Sequence, residues 1–227
     1  MSTVAIIPAR GGSKGIVDKN LQSVHGVPLV ARAIRSALST LTVDQVWVST
    51  DTERIASVAE ANGAHVVKRP PELSGDEASS ESAILHALES LPDADIVVFI
   101  QATSPFIDPI DIDKAVRLVR DEGFDCVFSG TEDHGFRWEE ARGEFVPLGH
   151  QASSRPRRQD LPHRVVETGA FYVFRAEGIR KSGSRFHGKI GCVEVGRRES
   201  LEIDTLDDLA LARELAMSSE ITTTMGP

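Results

Sequence analysis

The chain has 227 residues, 41% of them apolar, so it is long enough to bury a core without the support of disulfides or metals. Its formal net charge of −9 argues against nucleic acid as the main partner, and an anion would have to bind at a locally basic pocket. No apolar run approaches the roughly 18 residues that cross a membrane, and residues 4–8 are too few for a signal peptide core, so we expect a soluble cytoplasmic protein without membrane partners.

Short β-branched runs alternate with amphipathic helical patterns up to about Gly130. This alternation predicts an α/β protein with a three-layer nucleotide-binding fold, whose mostly parallel central sheet is covered on both faces. Ligands in such sheets bind beyond the carboxyl ends of the strands, so residues just after each strand are candidates for a site. The predicted strands are 4–8, 46–50, 65–69, 96–101, 126–129, 165–174 and one near 191–195.

Residues 131–164 break this alternation. They are rich in Arg, Gly, Pro and His and have few apolar residues in register, which predicts a protruding segment that we call the arm. A last helix is predicted over 206–216, and the polar residues after it predict a flexible tail. We therefore expect one domain over 1–217, an excursion at 131–173 that comprises the arm and the strand after it, and a tail at 218–227.

A basic, glycine-rich loop follows the first strand. Three glycines within five residues let the backbone approach a phosphate group closely, and the cations around them add positive charge. The spacing fits neither a Walker loop nor a dinucleotide-binding fingerprint, so the loop predicts another kind of cradle for a nucleoside triphosphate. These residues are Arg10, Gly11, Gly12, Lys14, Gly15 and Lys19.

Other residue types predict no second site. Cys126 and Cys192 lie far apart and match no metal-binding or redox spacing, so we expect reduced, buried thiols. The serines, histidines and aspartates form no nucleophile elbow, since no Gly-x-Ser-x-Gly occurs.

The loop Ile7-Pro8-Ala9-Arg10-Gly11-Gly12-Ser13-Lys14-Gly15 with Lys19-Asn20 resembles the signature of the acylneuraminate cytidylyltransferases, the CMP-sialic acid synthetases. The resemblance implies a CTP-dependent enzyme that converts an acidic nonulosonic sugar, an N-acylneuraminate, to its CMP-sugar and releases pyrophosphate. Further matching segments follow in order over roughly residues 4 to 215. They are Ser49-Thr50-Asp51, Arg69-Pro70, Asp76 with Ser79-Ser80, Gln101-Ala102-Thr103-Ser104-Pro105, Arg158-Gln159-Asp160-Leu161-Pro162, Gly169-Ala170-Phe171-Tyr172 and Glu202-Ile203-Asp204.

The resemblance implies a nucleotide site along the loop and the strands after it. Arg10, Lys14 and Lys19 would stabilise the charge that develops as pyrophosphate leaves, so with Asp204 they are the catalytic candidates. The nucleotide-binding candidates are Arg10, Gly11, Gly12, Ser13, Lys14, Lys19, Asn20, Arg69, Asp76 and Ser80.

A second group of residues is implied to bind the sugar. A planar guanidinium matches a carboxylate in two hydrogen bonds, and Arg158 matches the family position that meets the acidic sugar. Two departures cluster here, Ala102 where the family usually has Pro and Thr168 where it commonly has Asn, so the sugar's identity stays open. The sugar-binding candidates are Gln101, Thr103, Ser104, Arg137, Arg158, Gly169 and Tyr172.

Glu202 and Asp204 are the candidate metal ligands. If their segment is extended, both carboxylates point to the same side and could hold one Mg²⁺ together with phosphate oxygens. The family typically has Asp-x-Asp, so Glu202 departs by one methylene group. It could bind the ion through water or leave it largely to Asp204.

The family's reaction needs no covalent enzyme intermediate, which agrees with the missing nucleophile, and its arm packs on a twin subunit, so we expect a homodimer. Alternatives stay open within the same chemistry: another acidic sugar, such as legionaminate, pseudaminate or 3-deoxy-octulosonate, or GTP in place of CTP. A sugar-nucleotide-binding paralogue without turnover is an alternative from a different class.

Overall fold

The computed structural model describes residues 1–13, 15–75 and 77–224, with side chains up to Ser218. Single helical turns of the 3-10 type lie at Lys19–Leu21, Pro71–Leu73 and Arg158–Asp160. The strands are β1 Thr3–Pro8, β2 Ser23–Val24, β3 Val27–Pro28, β4 Gln45–Thr50, β5 His65–Lys68, β6 Ile96–Ile100, β7 Cys126–Glu132, β8 Arg137–Ala141, β9 Glu144–Leu148, β10 Val165–Arg175 and β11 Ile190–Glu194. The helices are α1 Leu29–Leu38, α2 Glu53–Ala61, α3 Ser80–Glu89, α4 Pro109–Asp121, α5 Ala176–Ser182 and α6 Leu206–Thr224.

A seven-stranded sheet in the order β11-β7-β10-β6-β1-β4-β5 forms the centre of the molecule. Neighbouring strands are parallel except around β10, which runs antiparallel to both β6 and β7. The predicted α/β class with a mostly parallel sheet is therefore confirmed.

Both faces of this sheet are covered, because its strands carry apolar side chains on both sides. In β6, Ile96, Val98 and Ile100 belong to one core cluster, which also takes in apolar residues of α1, α2 and α4. Val97 and Phe99 alternate with them and belong to a second cluster with residues of α3 and α5. Since successive side chains of a strand point to opposite faces, this continuous apolar run requires the three layers that the sequence predicts.

The excursion predicted at 131–173 divides into two parts. Strands β8 and β9, which lie within the arm, form a separate two-stranded hairpin, and most of its residues are exposed. The strand after the arm differs from the prediction, because Phe171 to Arg175 pair with β6 in the middle of the sheet. This half of β10 is part of the core because its apolar residues face both clusters.

Helix α6 continues beyond its predicted end at residue 216 and runs to Thr224. Its apolar residues Leu209, Ala212 and Ala216 pack in a small third cluster, and their spacing of three and four residues ends there. The tail expected from residue 218 is thus helical over its described part, where the sequence has a single apolar residue, Ile221, and no apolar periodicity that predicts a helix. No helix in the described part of the chain is both long and apolar enough to span a bilayer.

Candidate active site

A cleft of about 420 Å³ opens where several parallel strands end. Pro8 and Arg10 reach it from the end of β1, Arg69 follows β5, and Gln101 follows β6. Asp204 closes one side from the segment before α6. The cleft thus lies where ligands bind in open α/β sheets, and it collects residues that are distant in the sequence.

The glycine-rich loop is tied to β4 along one wall of the cleft. The Ala9 amide donates a hydrogen bond to the Ser49 carbonyl, at 2.9 Å. The Gly11 amide donates to Oδ1 of Asp51, at 2.9 Å. A Cβ at position 11 would lie 2.2 Å from Cγ2 of Thr52, whereas one at Gly12 would meet nothing within 4 Å. The loop therefore needs glycine at position 11 for packing, and position 12 is open.

The cations of the cleft are held by polar partners. Lys19 Nζ lies 3.0 Å from Oδ1 of Asp204. Arg10 donates to the carbonyl of Gly75 at 2.8 Å, and its own carbonyl accepts from the Asn20 amide at 2.9 Å. Positive charge is thus concentrated beside the glycine-rich loop. The candidates Lys14 and Asp76 lie outside the described residues.

Arg69 is a buried cation, with only 6% of its surface exposed. Its guanidinium donates to the Ser49 hydroxyl at 3.1 Å and to the Ser49 carbonyl. Burial lowers the pKa of Arg69, the Asp51 carboxylate raises it and the Arg10 guanidinium lowers it further. Such a buried, rigid donor at the end of β5 can recognise a fixed acceptor on a bound ligand.

Glu202 and Asp204 flank Ile203, whose side chain is buried in the third core cluster. The Ile203 amide donates to the Thr103 carbonyl at 2.9 Å, which fixes this segment beside the cleft. Oε1 of Glu202 accepts from the Thr103 hydroxyl at 3.3 Å. Burial, followed by the nearby Asp204 carboxylate, raises the pKa of Glu202. The two carboxylates therefore interact with each other but have different hydrogen-bonding partners.

The donor set of the cleft suits a divalent ion only in part. Within the described ranges, no three His, Cys, Asp or Glu side chains come together as a metal site. Mg²⁺ is commonly held by one or two carboxylates together with substrate phosphate oxygens. The exposed Asp204 carboxylate in the cleft meets this requirement, whereas Glu202 is half-buried and bonded to Thr103.

Three of the sugar-binding candidates lie together at one end of the cleft. Gln101 and Thr103 line it, and an added Cβ on Gly169 would lie 3.1 Å from both Gln101 Nε2 and Glu202 Oε2. Gly169 also has a φ of +75°, which an L side chain rarely adopts. Ser104 is buried and does not line this cleft.

Tyr172 does not face the cleft. Its ring stacks on Phe99 with 5.4 Å between the ring centroids, and its hydroxyl donates to Glu167. Burial raises the pKa of Tyr172, and the hydrogen bond to Glu167 adds to this effect. Since Phe99 itself lines the cleft, Tyr172 supports the wall from behind.

Arg137 and Arg158 also lie outside the cleft of their own chain. Arg137 lies on the hairpin and pairs with Asp133 at 2.8 Å. The Arg158 side chain is 67% exposed, and its guanidinium lies 3.7 Å from a carboxylate oxygen of Glu132. Both positions belong to the arm, whose hairpin forms a sheet separate from the central one.

Sequence reasoning missed several residues that shape the site. Ser49 and Asp51 hold Arg69 and the loop but were not among the site candidates, although they belong to the matching segment Ser49-Thr50-Asp51, which is the signal that could have identified them. Phe99 carries no such signal, because it lies within a continuous apolar run. Thr168 bonds to the Ser129 hydroxyl at 2.7 Å within the sheet, so the departure from Asn changes a buried position.

Comparison with known proteins adds to this geometry. A family model described as cytidylyltransferase matches residues 4–217. N-acylneuraminate cytidylyltransferase A of Danio rerio is 40% identical over 214 residues, which are 92% of this chain and 50% of that protein. N-acylneuraminate cytidylyltransferase of Streptococcus agalactiae serotype V is 31% identical over 213 residues, 92% of this chain and 52% of that protein. The chain thus spans about half the length of the curated relatives it matches.

Solved structures share the fold. CMP:2-keto-3-deoxy-manno-octonic acid synthetase complexed with CTP superposes with a TM-score of 0.74 at 20% identity, covering 97% of this chain and 100% of that one. A 4-diphosphocytidyl-2C-methyl-D-erythritol synthase from Anaerococcus prevotii gives a TM-score of 0.69 at 14% identity, covering 95% of this chain and 96% of that one. At these identities the likeness concerns the fold.

Proposed function

Because this chain belongs to the cytidylyltransferase family, as its motifs predict, we propose that it transfers the cytidylyl group of CTP to an acidic nonulosonic sugar, an N-acylneuraminate. The products are the CMP-sugar and pyrophosphate. The curated relatives that are 40% and 31% identical over the aligned residues carry the name N-acylneuraminate cytidylyltransferase, which supports this choice of substrates.

The observation that carries the proposal is the Lys19–Asp204 pair beside the glycine-rich loop, at 3.0 Å. A cation and a carboxylate in contact at the mouth of a cleft can separate to bind a polyphosphate and its counterion. Phosphoryl transfer depends largely on such positioning and charge stabilisation, so no protein nucleophile is required.

On the nucleotide side, we assign the triphosphate to Arg10, Ser13 and Lys19, with Lys14 and the backbone of Gly11 and Gly12. Asp204 would hold Mg²⁺ together with phosphate oxygens, and the bound ion would neutralise charge on them. Glu202 would act through water or through Asp204, since its carboxylate is bonded to Thr103. The cytidine and ribose contacts are assigned to Asn20, Arg69 and Ser80, with Asp76.

On the sugar side, we assign Gln101, Thr103 and Gly169 to the sugar and Ser104 and Tyr172 to the support of its pocket. The sugar's anomeric hydroxyl attacks the α-phosphorus of CTP. The new oxygen–phosphorus bond forms as the bond to the leaving pyrophosphate breaks, and the hydroxyl proton is released. Arg10 and Lys19 stabilise the negative charge that accumulates on the departing phosphates.

We further propose that the chain acts as a homodimer. Arg137 and Arg158 lie on the arm and outside the cleft of their own chain, so a sugar contact through Arg158 requires a second copy. The excursion at 131–173 would supply this contact, with its buried strand β10 anchoring the arm to the sheet.

The test is pyrophosphate release with a panel of acidic sugars, each offered with CTP and with GTP, with Mg²⁺ and with excess chelator. We expect Mg²⁺-dependent release with CTP and an N-acylneuraminate. Preference for legionaminate, pseudaminate or 3-deoxy-octulosonate, or for GTP, would correct the substrate and leave the chemistry intact. CTP binding without release for any sugar would overturn the enzymatic assignment in favour of a binding paralogue.

A further inference from the structure

A second cleft, of about 370 Å³, lies between helix α1 and the loop that joins β6 to α4. Among the residues that the structure describes, the two clefts share no lining residue. Arg32 and Arg35 enter it from one face of α1, three residues apart, and Arg198 enters from the segment after β11. In a chain with a net charge of −9, these arginines form a local concentration of positive charge.

Two of these arginines, Arg32 and Arg198, lie over the buried ring of Phe106, and Arg35 lines the same cleft. The guanidinium carbon of Arg198 lies 4.5 Å from the ring centroid and that of Arg32 lies 5.5 Å from it. A guanidinium over an aromatic face interacts with the ring electrons and keeps its in-plane N–H donors for other acceptors. The ring therefore supports two cations side by side.

None of the three arginines has a carboxylate within ion-pair distance in the described structure. Arg32 donates its Nε to the Pro105 carbonyl at 2.8 Å and Nη1 to the Val24 carbonyl at 3.3 Å, while Arg35 donates Nε to the Asn62 side chain at 3.2 Å. Burial, then Arg198 and Arg35, lower the pKa of Arg32, as mutual repulsion of clustered cations requires.

Two carboxylates, those of Asp108 and Glu199, line the same cleft, but each contacts a group other than the three arginines. Asp108 caps helix α4, with its Oδ1 accepting from the Ile110 amide at 2.9 Å. Glu199 folds back on the chain, since its Oε2 would lie 2.3 Å from a Cβ on Gly196. The remaining guanidinium donors can therefore receive an external anion.

We propose that this cleft, formed by Arg32, Arg35 and Arg198 over Phe106, is a second anion site that binds a small phosphate-bearing ligand of the pyrophosphate class. Planar guanidinium groups bind phosphate oxygens in pairs of hydrogen bonds, and three of them suit more than one phosphoryl group. This binding site is additional to the proposed catalytic function. It is connected to the active-site cleft because Arg32 donates a hydrogen bond to the carbonyl of Pro105, two residues after Thr103, which lines that cleft.

The test is calorimetric titration of the chain with inorganic pyrophosphate in chelator, using Arg198→Gln. The exposed position of Arg198 favours an intact fold, which thermal unfolding checks. We expect the chain to bind pyrophosphate with an affinity that Arg198→Gln lowers by about tenfold or more. Arg198→Lys should lower this affinity less, since lysine keeps the positive charge but loses the paired N–H donors of the guanidinium. Any pyrophosphate bound in the active-site cleft would stay unaffected.

The matched control is Arg197→Gln, which removes the same charge one residue away, outside this cleft. We expect it to bind pyrophosphate as the unaltered chain does. A crystal soaked in tungstate should place its anomalous peak beside Arg198. Identical titrations of the unaltered chain and Arg198→Gln would overturn the proposal, and so would an equal loss in Arg197→Gln, which would indicate only a general charge effect.

Discussion

At the scale of single residues, Asp204 and Glu202 show how neighbouring carboxylates acquire different roles. One intervening residue, Ile203, is buried, and its amide bonds to the Thr103 carbonyl, which fixes the segment beside the cleft. Asp204 is exposed and paired with Lys19, so a ligand can replace that partner at small cost. Glu202 is half-buried beside Thr103 and Gly169, so its charge costs more to maintain.

We therefore expect Asp204→Asn to lower the rate of pyrophosphate release by about a hundredfold or more, because an amide cannot replace a carboxylate at a developing charge. The exposed position should leave the melting temperature nearly unchanged. Asp207→Asn, an exposed carboxylate in the first turn of α6, is the matched control and should keep its activity. Full activity of Asp204→Asn would show that the metal assignment is wrong.

The two thiols give a pH prediction. Both cysteines are free, and burial raises the pKa of Cys126 to about 12 and that of Cys192 to about 11 from an ordinary value of 9.0. At about pH 8 the Cys192 thiolate fraction is then about one in a thousand, so alkylation of the folded protein should be slow. The rate should rise with pH towards 11, whereas the unfolded chain should react at once.

The sign of the linked stability follows from these raised pKa values. A thiol that ionises less readily in the folded state stabilises the fold fully below pH 9.0, and this contribution is lost as the pH rises through about 11. Mass spectrometry after timed alkylation measures the rate at which the thiols react in the folded protein and in the unfolded chain. Cys126 is buried as expected, whereas Cys192 is only half-buried. Rapid labelling of either thiol in the folded protein at about pH 8 would contradict their raised pKa values.

At the scale of elements, the glycine-rich loop is held by packing as well as by hydrogen bonds. We expect Gly11→Ala to raise the KM for CTP by about tenfold or more, because its Cβ would lie 2.2 Å from Thr52 and the loop must move. Thr52 also caps helix α2 by accepting from the Ile55 amide, so the melting temperature should fall as well.

Gly12→Ala is the matched control, since an added Cβ there meets nothing within 4 Å. Steady-state kinetics and thermal unfolding of both variants should separate a packing requirement at position 11 from a loss of loop flexibility in general. Equal effects of the two substitutions would contradict the packing argument.

Part of the sheet and of the cleft could be predicted from the sequence. The strands and the residues just after them were predictable, because a doubly covered sheet needs apolar runs and presents its loops at one edge. The placement of Arg69 and Gln101 in the cleft followed from that rule. The segment of Ser49 and Asp51 could be identified from the sequence, but their partners Arg69 and Gly11 could not, because those hydrogen bonds depend on contacts between strands.

Other placements could not be predicted, for similar reasons. Tyr172 lies on a strand with apolar residues on both sides, so its motif gives no information on which face it takes. The end of α6 beyond residue 216 is mostly polar and has no apolar periodicity from which the length of the helix could be predicted. Arg158 matches a sugar-binding motif, but a motif does not indicate which copy of the chain the residue serves.

At the scale of the whole molecule, the hairpin of β8 and β9 exposes apolar side chains that suit burial between two copies. Phe145 is 68% exposed and Leu148 is 53% exposed. Burying such side chains stabilises association by about 1.5–3 kcal/mol each, so the double variant Phe145→Asp with Leu148→Asp should weaken dimerisation by about a hundredfold or more.

Sedimentation equilibrium measures this effect directly. Leu41→Asp is the control, because Leu41 is 87% exposed but lies in the turn between α1 and β4, away from the hairpin. We expect the unaltered chain and Leu41→Asp to be dimers at micromolar concentration. A monomeric unaltered chain would contradict the homodimer.

Whether Arg158 serves its own cleft or that of a partner can be decided with mixed dimers. Arg158→Ala should raise the KM for the sugar more than the KM for CTP, since a guanidinium that binds the sugar carboxylate is lost. If Arg158 acts in the partner's cleft, a dimer of one Arg158→Ala chain with one Asp204→Asn chain contains one fully intact cleft. If Arg158 acted in its own chain, both clefts of that dimer would be defective.

Equal amounts of the two variants, mixed by co-expression, should therefore recover about a quarter of the unaltered activity, because half of the dimers are mixed and each has one intact cleft. The separate variants should stay near their own low rates at subsaturating sugar. Recovery depends on dimer formation, so adding Phe145→Asp and Leu148→Asp to both chains should abolish it. A mixture no more active than the mean of its components would place Arg158 in the cleft of its own chain, or outside the sugar site altogether.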